Sequence, residues 1–404
     1  MNFIPRYRIY KAGELAAVIL FDLITNILFI PAKLIRFFRK KILRFYSQEK
    51  IKKIVVFRTD RIGDLVMTLP ALKALRLRFP DSAIHLIAGE WNKGILKYIR
   101  TIDKTFIWNP SWISRNRRSD SFFSLFKKAI SLRKSKYDLA IDFTSDIRIN
   151  ILMWLTGAER RIGYSDSGGA AFLTHIIKEK SLHRVDQNME PIKALYMNET
   201  APKPVLEGML EIDNGSENII SKLLSDKRSA VLRRYVIIHP WGGRLIKTWN
   251  VDKYAELASR IDSELKCKII LTGGTDDKKI CAAITEKGNG KILDTSGRLS
   301  LEQTMSLIKR SQLFISPDTG PMHIAVALNV PTITLFGPSD PVKYAPYGDR
   351  KRHCIITPRN FECLHCNKIR KPPKRCIRNG VSVCMDAITV EKVFIECRKF
   401  IEHS

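Results

Sequence analysis

Short apolar runs alternate with amphipathic helical patterns through the second half of the chain, and this alternation limits the possible folds more than any other feature. Strands are predicted near 235–239, 268–272, 291–294, 312–316 and 332–336, and helices near 252–265, 276–287, 300–310 and 319–328. Strands and helices that alternate in this way form a parallel, doubly wound sheet covered by helices on both faces.

The first half follows the same pattern less regularly. Strands are predicted at 53–57, 84–88 and 138–143, with a helix at 64–78. Because 404 residues suffice for two hydrophobic cores, we expect two α/β domains. Their connection should lie within 198–230, where periodicity is weak. The predicted boundaries are a basic membrane-associating segment at 1–50, a first Rossmann-like domain at 51–205, a second at 206–345, and a cysteine-rich tail with a C-terminal helix at 346–404.

One segment, SPDTGPMH at 316–323, combines a strand end, a tight turn and a helix start. Gly320 lets the backbone approach a ligand closely, and the N–H groups at the start of a helix attract an anion. Asp318, Thr319 and His323 would surround that anion. The alternative is that Asp318 or Thr319 only caps the helix.

Two further motifs also follow predicted strands: RTDRIGDL at 58–65 and HPWGGRLIKTW at 239–249. Together with the segment at 316–323, they resemble the ADP-heptose:lipopolysaccharide heptosyltransferase family, which is glycosyltransferase family 9-like, over roughly residues 52–345. The resemblance implies the GT-B architecture, in which two Rossmann-like domains face each other across a cleft. It also implies a nucleotide-diphosphate sugar donor, with ADP-heptose favoured.

The resemblance implies that Asp64 is the catalytic base. Lys247 would bind the donor diphosphate, with the backbone of Gly242 and Gly243 and the helix start at Thr319 and Gly320 supplying further donors. This arrangement requires no cofactor for catalysis. The alternatives are that Asp64 caps its helix and that Lys247 is a solvated surface lysine.

The chain departs from the family pattern at two places. Trp241-Gly242-Gly243 stands where small hydroxyl residues are common, and Asp276 stands near the position of a glutamate that binds ribose. The sugar and the nucleotide base are therefore left open. On the first domain Arg58, Arg61 and Arg148 are candidates for the acceptor's phosphates or carboxylates. For each arginine alone a plain surface role is the alternative.

A formal net charge of +29 implies anionic partners. Without a nucleic-acid-binding signature, a membrane surface and an anionic glycolipid rank above nucleic acid. The polar residues near the N-terminus fall in one helical stripe, typical of a helix in the membrane interface, and a spanning helix is the alternative. The stripe comprises Lys11, Glu14, Asp22, Thr25, Asn26, Lys33, Arg36, Lys40 and Arg44. We expect a peripheral protein on the cytoplasmic face of the inner membrane.

Eight cysteines without a secretory signal suggest reduced thiols. Cys363, Cys366, Cys376 and Cys384 resemble the ligand set of a structural zinc site, with His365 as an alternative ligand. The other possibility is a set of unligated thiols in a basic loop.

These features predict an inverting glycosyltransferase that moves a sugar, with heptose favoured, onto a lipopolysaccharide-core or related glycolipid. The alternatives are a nucleotide-sugar epimerase of the same fold and a noncatalytic membrane scaffold that binds nucleotide sugar or glycolipid.

Overall fold

The structure of the protein is a computed structural model. The structure describes residues 12–28, 51–114, 119–166, 168–180, 182–197, 199–212, 234–288, 292–359, 361, 363–364, 366–367, 376 and 382–402. The chain divides into two compact units, residues 1–204 and 205–404. Within the described ranges each unit contains one six-stranded parallel sheet, which confirms the prediction of two α/β domains.

The sheet of the first unit has the strand order β3-β2-β1-β4-β5-β6. Its strands are β1 (Lys53–Arg58), β2 (Ala83–Ala88), β3 (Lys104–Ile107), β4 (Leu139–Asp142), β5 (Arg160–Tyr164) and β6 (His175–Ile177). The residues of β1 from Ile54 to Phe57 are fully buried, as expected for a central strand covered on both faces.

The helices of the first unit are α1 (Ala12–Leu28), α2 (Ile62–Val66), α3 (Leu69–Arg78), α4 (Lys93–Leu96), α5 (Phe122–Ser131), α6 (Ile147–Leu155) and α7 (Arg184–Tyr196). The single helix predicted at 64–78 is thus two helices, separated at Met67 and Thr68. The cause is Pro70, which lacks a backbone N–H and is tolerated in the first turn of a helix but not in its interior.

The sheet of the second unit has the order β12-β11-β10-β7-β8-β9. Its strands are β7 (Tyr235–Ile238), β8 (Lys268–Leu271), β9 (Leu293–Asp294), β10 (Leu313–Pro317), β11 (Thr332–Leu335) and β12 (His353–Ile356). Its helices are α8 (Val251–Leu265), α9 (Lys278–Lys287), α10 (Leu301–Lys309), α11 (Gly320–Ala327), α12 (Pro341–Tyr344), α13 (Val383–Asp386) and α14 (Val390–Glu402).

Parts of the predicted C-terminal tail belong to the second unit. β12 pairs with β11, and the buried side chains of Phe394 and Cys397 on α14 join the core of that unit. Trp249 is 1% exposed and its indole N–H donates to the carbonyl of Ile388 at 3.0 Å. Trp249, the last residue of the motif at 239–249, therefore anchors this C-terminal region.

The N-terminal helix α1 covers 17 residues. Among the described residues, no helix has the length and apolar character needed to cross a membrane. The predicted stripe extends beyond α1 to Lys11, Lys33, Arg36, Lys40 and Arg44, which lie outside the described residues.

Candidate active site

The motifs at 58–65 and 239–249 follow β1 and β7. At each of these two strands the strand order reverses direction, because the next strand of the chain pairs on one side and a later strand pairs on the other. β1 lies between β2 and β4, and β7 lies between β10 and β8. In doubly wound sheets, ligands bind beyond the carboxyl ends of the strands at this reversal. The segments after β1 and β7 therefore form the candidate site of each unit.

Asp64 lies in the first turn of α2, and its side chain is 31% exposed. The residue before the helix, Arg61, makes no side-chain cap hydrogen bond. The backbone carbonyl of Asp64 accepts the Thr68 hydroxyl at 2.8 Å. The same carbonyl accepts Nε and Nη2 of Arg58 at 3.1 and 2.9 Å. These contacts fix the backbone of Asp64 while its carboxylate stays accessible.

Arg58 is 3% exposed, and its guanidinium lies inside the first unit. Besides the Asp64 carbonyl, it donates to the carbonyl of Phe143 at the end of β4. Its Nη1 lies 3.5 Å from Oδ2 of Asp60, and its Nη2 lies 3.7 Å from Oδ1 of Asp64. This geometry favours a positioning role over the direct acceptor contact that the sequence suggested, because the donors already bind backbone carbonyls that the fold supplies.

The other two predicted arginines lie beside tryptophans. Arg61 is exposed and its guanidinium carbon lies 5.4 Å from the centre of the Trp91 ring. Arg148 lies 4.4 Å from the Trp112 ring, and its Nη2 is 2.6 Å from Oδ2 of Asp146. An arginine held over an aromatic ring keeps its planar donor set oriented for an anionic ligand. Acceptor binding by Arg61 and Arg148 remains a prediction.

Asp142, at the end of β4, did not emerge from the sequence. Burial raises the pKa of its carboxyl group to about 7, and the nearby carboxylates of Asp60 and Asp146 act in the same direction, although two hydrogen bonds from Thr144 oppose the shift. Its oxygens accept the backbone N–H groups of Thr144 and Ser145 at 2.8 and 3.1 Å. Asp142 thus shapes the loop that leads to Arg148. The proximity of Asp142 to Asp60 and Asp146 could not be inferred from the sequence.

In the second unit the structure brings three predicted donor-binding residues together. Lys247 Nζ lies 2.8 Å from Oδ2 of Asp318, with side chains 12% and 13% exposed. Gly242 passes directly against Lys247, because a Cβ at this glycine would lie 2.6 Å from the Lys247 Cβ. Gly243 has φ +75°, a conformation that glycine adopts without strain. Glycine is required at 242 because a Cβ would collide with Lys247, and it is favoured at 243 because of the positive φ.

The carboxylate of Asp318 is ionised. Burial alone would raise its pKa, but the adjacent Lys247 ammonium holds that pKa below its usual range, with further help from Ser339 and His323. Thr319 precedes α11 with extended dihedrals and makes no side-chain cap hydrogen bond. Thr319 therefore does not cap the helix through its side chain. The start of α11 lies beside the Lys247–Asp318 pair, and unpaired backbone N–H groups at a helix start favour an anion.

Asp276 is exposed on the 3-10 turn Thr275–Asp277 after β8. Its neighbour Asp277 is buried, and its Oδ2 accepts the backbone N–H of Gly274 at 2.6 Å. Burial raises the pKa of Asp277 and lowers the pKa of His239, and the two groups interact electrostatically. Asp276 is accessible to a ligand, and its binding to ribose stays a prediction, whereas Asp277 organises the turn. No sequence pattern indicates which of the two aspartates is buried.

The four tail cysteines lie near one another. Burial raises the pKa of the Cys366 thiol, and the thiols of Cys384, Cys363 and Cys376 raise that pKa further. Within the described part of the chain, no three histidine, cysteine or carboxylate side chains are grouped closely enough to hold a metal ion. His365 lies outside the described residues. The zinc site stays a prediction.

Comparison with known families distinguishes the glycosyltransferase interpretation from the epimerase and scaffold alternatives. The model of glycosyltransferase family 9 (heptosyltransferase) matches residues 125–375. The chain belongs to glycosyltransferase family 9. The predicted resemblance and the interpretation as a glycosyltransferase are thereby confirmed, and family membership does not favour the epimerase or the scaffold.

Individual relatives agree with this assignment. The chain is 25% identical over 296 residues to lipopolysaccharide heptosyltransferase 3 of Escherichia coli, covering 71% of this chain and 84% of that protein. The fold is similar to that of the glycosyl transferase family 9 protein from Veillonella parvula, with TM-score 0.74, 22% identity and coverage of 87% and 98%. It is also similar to E. coli heptosyltransferase WaaC with ADP, with TM-score 0.64, 18% identity and coverage of 87% and 99%. These similarities confirm the GT-B-like fold.

Proposed function

We propose that this family 9 enzyme transfers heptose, with inversion, from ADP-heptose to an anionic glycolipid of the lipopolysaccharide-core type. The observation that carries the proposal is the edge of the second unit, where Lys247 lies 2.8 Å from Asp318 beside the start of α11. A cation next to a helix start suits the diphosphate of a leaving nucleotide. Similar proteins support the sugar and the nucleotide, since they include a lipopolysaccharide heptosyltransferase and a heptosyltransferase with ADP.

In the proposed reaction the acceptor hydroxyl oxygen attacks the anomeric carbon of the donor. Asp64 takes the hydroxyl proton, the bond from the anomeric carbon to the diphosphate oxygen breaks, and its electron pair leaves with the nucleotide. One direct displacement inverts the configuration at that carbon. The carboxylate of Asp64 is partly exposed and its backbone is held in place, which suits this role because a general base must reach its proton at hydrogen-bond distance.

Lys247 would stabilise the negative charge that develops on the leaving diphosphate. In the structure its ammonium group is paired with Asp318, so the pair forms a preorganised charge and the ligand does not have to order a mobile lysine. The diphosphate would draw Lys247 away from Asp318 or share it. The N–H groups at the start of α11 would add neutral donors that need no counter-charge.

We further propose that the enzyme works at an anionic membrane surface, on the cytoplasmic face of the inner membrane. The net charge of +29 supports attraction to such a surface. Arg61 and Arg148 would bind phosphate or carboxylate groups of the acceptor, each presented beside a tryptophan that can contact a sugar ring.

The test is nucleotide release from ADP-, UDP- and GDP-sugars by purified protein, with and without a core-lipid acceptor. We expect release of ADP from ADP-heptose only with acceptor, and loss of that release in Asp64→Asn. Asp81→Asn, an equivalent change at an exposed position, is the control. Release without acceptor, or equal activity of Asp64→Asn and wild type, would contradict the proposal.

A further inference from the structure

The N-terminal helix α1 contacts the first unit through its polar residues. Asp22 is 6% exposed, and its Oδ1 accepts the backbone N–H of Gly169 at 2.7 Å. Thr25, one turn further on, is 7% exposed. The Phe21 ring stacks on Phe172 with centroids 6.4 Å apart. A buried carboxylate is costly unless it is hydrogen-bonded, so the Asp22 contact selects one orientation of the helix.

The opposite side of α1 is apolar and exposed. Its large side chains are Leu20 at 58%, Leu23 at 58%, Ile24 at 45%, Ile27 at 56% and Leu28 at 68% exposure. We call these five residues the outward row. The usual surface helix turns its apolar side toward the core. Here the orientation is reversed, and an exposed patch of this kind marks an interaction surface.

We propose that α1 is a membrane-docking helix, clamped to the first unit by Asp22, whose outward row inserts into the surface of an anionic bilayer. The proposal rests on the proposed function only in that the bilayer would contain the acceptor. It goes further by naming which side of the first unit faces lipid, namely the side formed by Gly169 and Phe172. It also explains the polar stripe in the sequence, because Asp22 and Thr25 of that stripe contact the first unit.

A second copy of the chain is a poorer occupant of the outward row. A helix of 17 residues is about 25 Å long and presents a face about 10 Å wide, or about 500 Å² for two copies together. Stable protein interfaces bury at least about 1,200 Å². A bilayer has no such minimum, because apolar side chains partition into it one by one.

Charge also favours an anionic bilayer. The sequence from residue 23 to residue 48 contains six lysines and arginines, and no aspartate or glutamate. The six are Lys33, Arg36, Arg39, Lys40, Lys41 and Arg44. Basic residues that adjoin an apolar helix strengthen its binding to anionic lipid. Because Asp22 and Thr25 pack against the first unit, only the outward row is available to lipid, and α1 would lie in the interface.

The first experiment measures binding to vesicles of phosphatidylethanolamine and phosphatidylglycerol, and to vesicles of phosphatidylcholine alone. The double variant Leu23→Gln/Ile27→Gln should lose about tenfold in vesicle affinity for each substitution. Leu77→Gln is the matched control, because Leu77 is a leucine of the first unit with 59% exposure on α3, and its affinity should stay within about twofold.

Unchanged binding of the double variant would overturn the proposal. So would sedimentation without lipid that shows an oligomer in wild type and a monomer in the double variant, because the outward row would then be a contact between copies.

The clamp has its own test. In Asp22→Ala the outward row is intact, so vesicle affinity should stay near that of wild type, while hydrogen exchange of the Gly169 amide should accelerate. Unchanged exchange at Gly169 would refute the clamp. Transfer to a water-soluble, deacylated acceptor separates this inference from the proposed function, because the double variant should keep that activity. Vesicle binding by a protein that transfers nothing to either acceptor would refute the proposed function and leave the membrane helix standing.

Discussion

The contact between Gly242 and Lys247 offers the most specific test of the donor site. In Gly242→Ala the new Cβ would lie 2.6 Å from Cβ of Lys247 and 3.2 Å from its Cε. Ordinary van der Waals contact begins at 3.4 Å, so the Cβ atoms must separate by about 0.8 Å, the difference between 3.4 and 2.6 Å. The Lys247 Cβ adjoins the backbone and cannot escape by a side-chain rotation alone.

The required shift moves Lys247 relative to Asp318 and to any bound diphosphate. A misplacement of about 1 Å in a positioned group lowers turnover by about 10²-fold. We therefore expect kcat for donor transfer to fall by about 10²-fold in Gly242→Ala. Overpacking should also lower the free energy of unfolding by about 1–3 kcal/mol.

The assay is acceptor-dependent nucleotide release, with thermal unfolding measured on the same preparations. Gly208→Ala is the control, since Gly208 also lies in the second unit, has φ +70° and has no neighbouring atom within 4 Å of its added Cβ. That variant should lose about 1 kcal/mol of stability from backbone strain and keep its turnover. If Gly242→Ala kept kcat within about threefold of wild type, the close approach to Lys247 would not matter for catalysis and the reasoning would fail.

Four further changes test other parts of the structure. Lys247→Ala should lower turnover by about 10²–10³-fold in the nucleotide-release assay, because one charge-stabilising donor is lost, and near-normal turnover would remove Lys247 from the site. Arg58→Lys cannot bind the carbonyls of Asp64 and Phe143 together, so kcat should fall by about 10²-fold with little change in KM; a rise in KM alone would instead indicate acceptor contact. Asp142 has a folded-state pKa of about 7 against an ordinary 3.8, so its contribution to stability is present below pH 3.8 and is lost as pH rises toward 7. Asp142→Asn should therefore gain up to about 4 kcal/mol relative to wild type between pH 4 and pH 8 in denaturant titrations, and a constant difference would contradict the assigned pKa. One zinc ion per chain by elemental analysis, lost in Cys366→Ser, is expected if the four tail thiols form a metal site, and metal-free protein would leave them as ordinary thiols.

The regular fold was predictable because its signals are local. Buried parallel strands such as β7 and β10 read as continuous apolar runs, and the predicted ends differ from the observed ends by one residue. β3, β6 and β12 were missed, because these edge strands are short and only partly buried. β5 was missed although it is largely buried, because two of its five residues are arginines and no apolar run marks it. The break between α2 and α3 was missed although Pro70 was visible, because periodicity continues across a short interruption.

The site was predictable to the level of motifs but not of contacts. Sequence position alone placed Lys247 and Asp318 after the ends of two strands, the edge at which a doubly wound sheet binds ligands. That these strands, β7 and β10, are neighbours is seen only in the structure. Whether Arg58 points outward to an acceptor or inward to carbonyls depends on side-chain packing, which no spacing encodes. The same holds for Asp276 and Asp277, adjacent residues of the same type, of which one is exposed and the other is buried against Gly273.

The cation at the candidate site is held differently in the two units, and the difference follows from the role proposed for each. In the first unit the guanidinium of Arg58 is buried and donates to backbone carbonyls, while the carboxylate of Asp64 is partly exposed. A base needs a fixed backbone and an accessible oxygen. In the second unit the cation Lys247 is held by a single carboxylate, Asp318, at the edge of the sheet. A cation that must bind a leaving diphosphate has to be exchangeable, because a lysine locked by several carbonyls would have no donor left for the anion. The proposed function therefore assigns a fixed position to Arg58 and an ion pair that a diphosphate can displace to Lys247.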